Sequence, residues 1–79
     1  MEDLTQEELT IIQHLTLAGG TGNVMEFLNF STVDFDKGFS IANEMQNKDL
    51  VKLLYSNFTK NLIVAELTLL GYQAMKSNS

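Results

Sequence analysis

The sequence predicts a single α+β domain that is mainly helical and carries one small β-hairpin. Three observations support this prediction. The length of 79 residues is in the range of one domain and too short for two. Apolar residues recur at helical spacing in the first part of the chain and alternate with polar ones after residue 50. With 44% apolar residues and no cysteine, the core is expected to rest on hydrophobic burial alone.

The first predicted helix, over about 5–18, has the clearest start signal in the chain. Thr5 and Glu8 have the spacing of a capping box, in which each side chain binds the backbone amide of the other residue. Leu9, Ile12 and Leu15 follow at helical spacing. The glycine-rich stretch 19–22 is predicted to end this helix and to form a loop.

Two further helices are predicted before residue 48. The second spans about 23–30, with Asn23 as its N-cap. The third spans about 33–47, and Gly38 in its middle is expected to allow close packing. Its buried face is predicted from the i, i+4, i+7, i+10 pattern of Phe35, Phe39, Ala42 and Met45.

The period then changes from helical to alternating. Two strands are predicted within about 50–67, forming a β-hairpin with its tip at 59–61. Thr68 is predicted to cap a last helix over about 68–76. The apolar residues of this C-terminal part are expected either to extend the core or to form a homodimer face: Leu54, Ile63, Leu69, Leu70 and Tyr72.

Two segments that flank the predicted hairpin carry a resemblance to a known family. Met45 to Val51 resembles the end of a recognition helix and its turn into the first wing strand. Glu66 to Tyr72 resembles the Leu-Thr-x-x-Gly segment that opens the helix after the wing. In order, these segments resemble a winged helix-turn-helix domain, the DNA-binding core of MarR-type transcriptional regulators.

The resemblance covers nearly the whole chain and implies three helices, a two-stranded wing and a short C-terminal helix. The chain is too short for the dimerisation helices that MarR-type proteins usually add. Asp49 stands where a glycine usually follows the recognition helix. The wing tip carries Lys60 where basic residues, often arginine, are usual.

The resemblance implies that helix 3 enters the major groove of duplex DNA and that the wing contacts a neighbouring groove or the backbone. Asn43 is suited to a bidentate contact with adenine, and the lysines to contacts with phosphates. The full set of candidate DNA-binding residues lies on helix 3, the following turn and the wing: Lys37, Ser40, Asn43, Asn47, Lys48, Lys52 and Lys60.

The charge balance argues against strong DNA binding. The formal net charge is −5, with five lysines and no arginine. Residues 31–61 carry four lysines and four acids, so the expected DNA-facing part is neutral. Because DNA affinity depends largely on neutralised phosphates, binding is expected to be weak or to need a dimer or a larger complex.

The alternative function is an acidic protein-interaction module, for which a neutral recognition helix is no handicap. Its partner would be a basic or DNA-binding protein, bound or inhibited without any direct contact to DNA. The expected contact residues are the N-terminal acids and one tip aromatic: Glu2, Asp3, Glu7, Glu8 and Phe58. The other phenylalanines are expected in the core. DNA binding is slightly favoured over protein binding as the function, because the N-terminal acids are expected to lie away from the DNA-facing part.

Other classes of function are not expected. No Ser/His/Asp, Cys/His or paired-carboxylate arrangement can be assembled, which predicts no enzyme. His14 is the only histidine and has no carboxylate three or four residues away, so no metal or cofactor is expected. The acidic N-terminal segment and the lack of an apolar run of about 20 residues predict a cytoplasmic protein without a membrane partner.

Overall fold

The computed structural model describes residues 4–77, and these form a mixed α+β fold. In chain order the elements are α1 (Gln6–Leu17), β1 (Thr21–Asn23), α2 (Val24–Phe27), a 3₁₀ turn (Thr32–Asp34), α3 (Phe35–Asn47), β2 (Val51–Asn57), β3 (Leu62–Leu67) and α4 (Leu69–Ser77). The three described strands make one antiparallel sheet in the order β1-β3-β2. This arrangement is compatible with a winged helix.

The capping box at the start of α1 is confirmed. The Thr5 hydroxyl accepts from the Glu8 amide at 3.1 Å, and the Glu8 carboxylate accepts from the Thr5 amide at 2.9 Å. Ile11, Ile12 and Leu15 of this helix are fully buried in the core. The helix start is therefore set locally, and its stability comes from packing of its apolar face.

A third strand lies where a loop was predicted. Residues 21–23 pair antiparallel with β3, with Gly22 opposite Ala65. Gly19 and Gly20 take positive φ values of 86° and 107°, which turn the chain back after α1. The prediction of a two-stranded sheet was wrong because a three-residue strand is too short to show a period and forms only by pairing with distant residues.

Helix α2 is shorter than predicted. Asn23 does cap it, since its side-chain oxygen accepts from the Met25 amide at 3.1 Å. The same oxygen accepts from the Ile63 amide at 2.9 Å, which fastens the helix start to β3. The helix ends early because Asn29 adopts a left-handed backbone conformation, with φ of 59°.

Helix α3 ends at Asn47 as predicted but begins at Phe35, after a 3₁₀ turn, and its buried face is narrower than predicted. Gly38, Ala42 and Met45 are buried, whereas Phe39, predicted to be buried, is 38% exposed. Close packing at Gly38 is confirmed, because a Cβ there would overlap the Met25 sulfur. The buried face of α3 is thus centred on Gly38, Ala42 and Met45, and Phe39 lies at its edge.

The β2–β3 hairpin is confirmed, but its alternation is broken by a bulge. Leu53 lies opposite Ala65 and Tyr55 opposite Val64, so Leu54 is the extra residue in β2. Tyr55 therefore lies on the outer face of the sheet and not on the inner face with Val51. A one-residue insertion reverses the facing of every following side chain, so simple alternation mispredicts them.

Helix α4 begins as predicted from Thr68. The Thr68 hydroxyl accepts from the Gly71 amide at 3.0 Å and donates to the Leu50 carbonyl at 2.9 Å. A Cβ at Gly71 would overlap that same Leu50 carbonyl, so α4 packs directly on backbone. Ile63 is fully buried, which removes it from the predicted homodimer face.

Candidate functional site

The tip of the hairpin lies beside the N-terminal end of α3. The ring of Phe58 meets the ring of Phe35 edge-on, with centroids 5.2 Å apart. The Asn61 side chain donates to the Phe30 carbonyl at 2.9 Å, just before α3. At the other end of α3, the Leu53 amide donates to the Gln46 side chain at 2.8 Å. The hairpin therefore runs alongside α3, and we call the exposed residues of α3 with the tip residues 58–61 the α3–tip surface.

A row of uncharged polar side chains runs along the outside of α3. Ser40, Asn43 and Asn47 are exposed and point away from the buried face of the helix. Their i, i+3 and i+7 spacing places them on one side. Within residues 4–77 none of the three side chains makes a hydrogen bond. Their donors and acceptors are thus open to a partner.

Acidic residues border this row. Asp36 and Glu44 are exposed on the same helix, at one turn's distance from members of the row. Lys37 lies on the flank, with its ammonium 5.5 Å from the centroid of the Phe30 ring. The helix therefore presents both signs of charge around a neutral centre.

Lys48, a predicted phosphate contact, is engaged inside the fold. Its ammonium lies 2.8 Å from the Glu8 carboxylate, whose side chain is only 3% exposed. Burial alone would raise the pKa of the Glu8 carboxyl. The hydrogen bonds from Lys48 and the Thr5 amide, together with the Lys48 charge, outweigh burial and hold that pKa below its usual value.

This pair joins residues that the sequence assigned to different sites. Lys48 was expected to contact DNA, and Glu8 to contact a basic partner. In the fold each is the partner of the other, so the carboxylate of Glu8 is not displayed on the surface. The charge of Lys48 is also offset within 3 Å, which weakens its attraction for a phosphate.

The remaining lysines of the candidate site differ in their surroundings. Lys52 is exposed on β2 and lies directly opposite Glu66 of β3, so two opposite charges share the outer face of the sheet. Lys60 is exposed at the tip, where its amide donates to the Asn57 side chain at 3.1 Å. Among residues 4–77, Lys37, Lys52 and Lys60 make no ion pair. Lys60 has no acidic residue within three positions along the chain, whereas Lys37 follows Asp34 and Asp36.

Three phenylalanines form an aromatic cluster between α3 and the tip: Phe35, Phe39 and Phe58. Phe35 lies in the middle, 6.4 Å from the Phe39 centroid and 5.2 Å from that of Phe58. Phe58 is 58% exposed, which confirms that it lies outside the core, whereas the exposure of Phe39 was not predicted. Sequence reasoning missed Phe39 because helical spacing assigns any phenylalanine in register to the core.

The N-terminal acids can be placed only in part. Glu2 and Asp3 lie outside the described residues. Glu7 is exposed in the first turn of α1, where the helix dipole favours an acidic residue. The helix dipole accounts for the position of Glu7, and no binding partner is needed to explain it.

No protein-family model, curated protein or solved structure matches the chain. Between residues 4 and 77, no three metal-ligating side chains of histidine, aspartate or glutamate are gathered as an ion would require. Over the same range, no helix has the length and apolar character needed to cross a membrane. The function is therefore inferred from the α3–tip surface itself.

Proposed function

We propose that this chain is a winged-helix DNA-binding domain in which α3 is the recognition helix and the β2–β3 hairpin is the wing. The observation that carries the proposal is the open row of Ser40, Asn43 and Asn47 on the outside of α3. Side chains of these types read base edges in the major groove. The element order and the position of the tip beside the start of α3 support the same assignment.

The dimensions of the row suit a short stretch of duplex. Seven residues of helix rise about 10 Å, which corresponds to about three base pairs along one strand. Asn43, in the middle, would make a bidentate contact to adenine, worth roughly 1–3 kcal/mol of discrimination against the wrong base. Ser40 and Asn47 extend the contact to the neighbouring bases.

Few phosphate contacts accompany this row. Lys37 and Lys60 supply two cations at the end where α3 and the wing tip meet, and Lys52 supplies a third that faces Glu66. Each neutralised phosphate contributes about −0.9 to the slope of log affinity against log salt. Two or three contacts therefore give a slope of roughly −2 to −3 and a weak complex for one domain.

A protein-interaction module is the second candidate function, and the aromatic cluster favours it. Phe39 and Phe58 are both exposed, and the ring of each lies beside the ring of Phe35. Val33, just before α3, is 91% exposed. Aromatic side chains are enriched at the centres of protein interfaces. On this proposal the same α3–tip surface binds a basic or DNA-binding protein through apolar contact and not through phosphates.

The test is a fluorescence anisotropy titration of a labelled mixed-sequence duplex at low and at physiological salt. We expect a dissociation constant near or below about 10⁻⁵ M at low salt that rises with salt. Lys37→Ala and Lys60→Ala should each flatten the salt slope by about 1. Lys76→Ala on α4 is the matched control and should leave the slope unchanged. An absence of binding at low salt, or equal effects of Lys60→Ala and Lys76→Ala, would overturn the proposal.

A further inference from the structure

A second surface, away from α3, combines exposed apolar side chains of α1 and α4. Leu17 is 87% exposed, Leu69 72% and Tyr72 39%. Leu69, Tyr72 and Met75 lie on one side of α4 because their spacing is i, i+3 and i+6. Met75 also reaches α1, where the Thr16 hydroxyl lies 4.0 Å from its sulfur. We call this surface the α1–α4 face: Gln13, Thr16, Leu17, Leu69, Tyr72 and Met75.

The α1–α4 face contains an open groove. Its volume is about 350 Å³, and it is lined by Gln13, Thr16, Leu17 and Met75. Leu17 projects from the rim of this groove, almost fully exposed. The face thus offers both a projecting apolar side chain and an apolar recess beside it. A two-fold axis through this face would let each Leu17 meet the groove of the other copy.

The distribution of charge favours a second copy as the occupant. The chain carries a net charge of −5, so two copies repel each other over most approaches. In α4 and in residues 12–17 of α1 there is no acidic residue, and the one charged side chain is Lys76. Lys76 lies 5.6 Å from the centroid of the Tyr72 ring, at the edge of the face. This is therefore a face by which two acidic molecules can meet without opposing acids.

We propose that the α1–α4 face is an isologous homodimer interface, with Leu17 of each copy seated in the groove lined by Thr16 and Met75 of the other. The dimer presents two α3–tip surfaces, which doubles the number of open lysines in one particle. The proposal does not depend on whether the α3–tip surface binds DNA or protein. Leu54 and Leu70, also exposed, lie outside this face on the β2 bulge and on the other side of α4.

The experiment is sedimentation equilibrium of the full chain, from about 10 μM to about 1 mM, with two matched leucine variants. The mass of the wild-type chain is expected to rise from 8.8 kDa towards twice that value. Leu17→Glu should hold the mass at the monomer value, whereas Leu54→Glu, with the same change of charge, should dimerise like the wild type. Circular dichroism checks that both variants fold.

Two results would overturn the proposal. One is a wild-type mass that stays at the monomer value at the highest concentration. The other is an equal loss of dimer in Leu17→Glu and Leu54→Glu, which would mean that added charge, and not the α1–α4 face, governs association. If a substitution unfolds the chain, Leu17→Ser and Leu54→Ser replace the pair, with the same expected difference.

Discussion

Glu8 and Lys48 lie 2.8 Å apart and join the first turn of α1 to the turn that follows α3. Glu8 also completes the capping box with Thr5, so one buried carboxylate serves a local and a long-range contact. The pair fixes the end of α3 against α1 at the point where the chain enters the hairpin. It also lowers the number of lysines that the α3–tip surface can offer to a polyanion.

The pair makes Lys48 important for stability. We expect Lys48→Met to lower the free energy of unfolding by about 1–3 kcal/mol, because it leaves the buried Glu8 carboxylate without its charged partner. Urea denaturation followed by circular dichroism measures the change. Lys52→Met, on the exposed face of β2, is the control and should stay within about 0.5 kcal/mol of the wild type. Equal stability of the two variants would contradict a structural role for Lys48.

The stability of the fold should also depend on pH through Glu8. Its pKa is lowered in the folded state, so the unfolded chain binds the proton more readily. The stabilisation is present above the unfolded pKa, near 4.5, and is lost as the pH falls through the lower folded value. We expect the free energy of unfolding to decrease below about pH 4.5 and this decrease to be shallower in Glu8→Gln. Urea denaturation curves measured from pH 3 to pH 6 would contradict the assignment if both proteins showed the same slope.

Two helical glycines, Gly38 in the first turns of α3 and Gly71 in the first turn of α4, should respond differently to alanine. At Gly71 a Cβ would overlap the Leu50 carbonyl, which is backbone and cannot move aside, so Gly71→Ala should destabilise the fold by about 1–3 kcal/mol. At Gly38 a Cβ would meet the flexible Met25 side chain, and alanine gains about 1 kcal/mol of helix propensity. Thermal unfolding should therefore give a lower Tm for Gly71→Ala than for Gly38→Ala. The reverse order would contradict the packing of α4 on the Leu50 backbone.

Asn43→Ala and Phe58→Ala together separate the two proposed functions. If the α3–tip surface binds DNA, Asn43→Ala should reduce discrimination between duplex sequences by about 1–3 kcal/mol, with unfolding unchanged because Asn43 is exposed. Phe58→Ala should lose only the Phe35 contact, about 0.5–1.5 kcal/mol of stability, and leave DNA affinity nearly as it was.

The opposite result identifies a protein partner. In that case Phe58→Ala should weaken the capture of a basic protein on immobilised chain, and Asn43→Ala should have the smaller effect. Tyr55→Ala, which removes another exposed aromatic from β2, is the control for general loss of aromatic surface. If all three variants retained every measured interaction, neither function would belong to the α3–tip surface.

The capping residues that begin α1 and α4, Thr5 and Thr68, could be predicted from the sequence, because a cap depends on residues three positions apart. The span of α3 could largely be predicted because its helical period repeats over several turns, and the hairpin because a polar turn separates two apolar segments. The exposed row of Ser40, Asn43 and Asn47 also follows from the helical period alone. These features rest on local geometry, which a sequence displays directly.

Tertiary structure alone decided the features that need distant partners. Strand β1 exists because residues 21–23 meet β3, and the bulge at Leu54 sets which face Tyr55 takes. Packing between elements sets which side of α3 is buried and leaves Phe39 exposed, and Lys48 is tied to Glu8, 40 residues earlier. Each outcome depends on contacts between elements far apart in the chain, and no local pattern encodes which distant residue will be met.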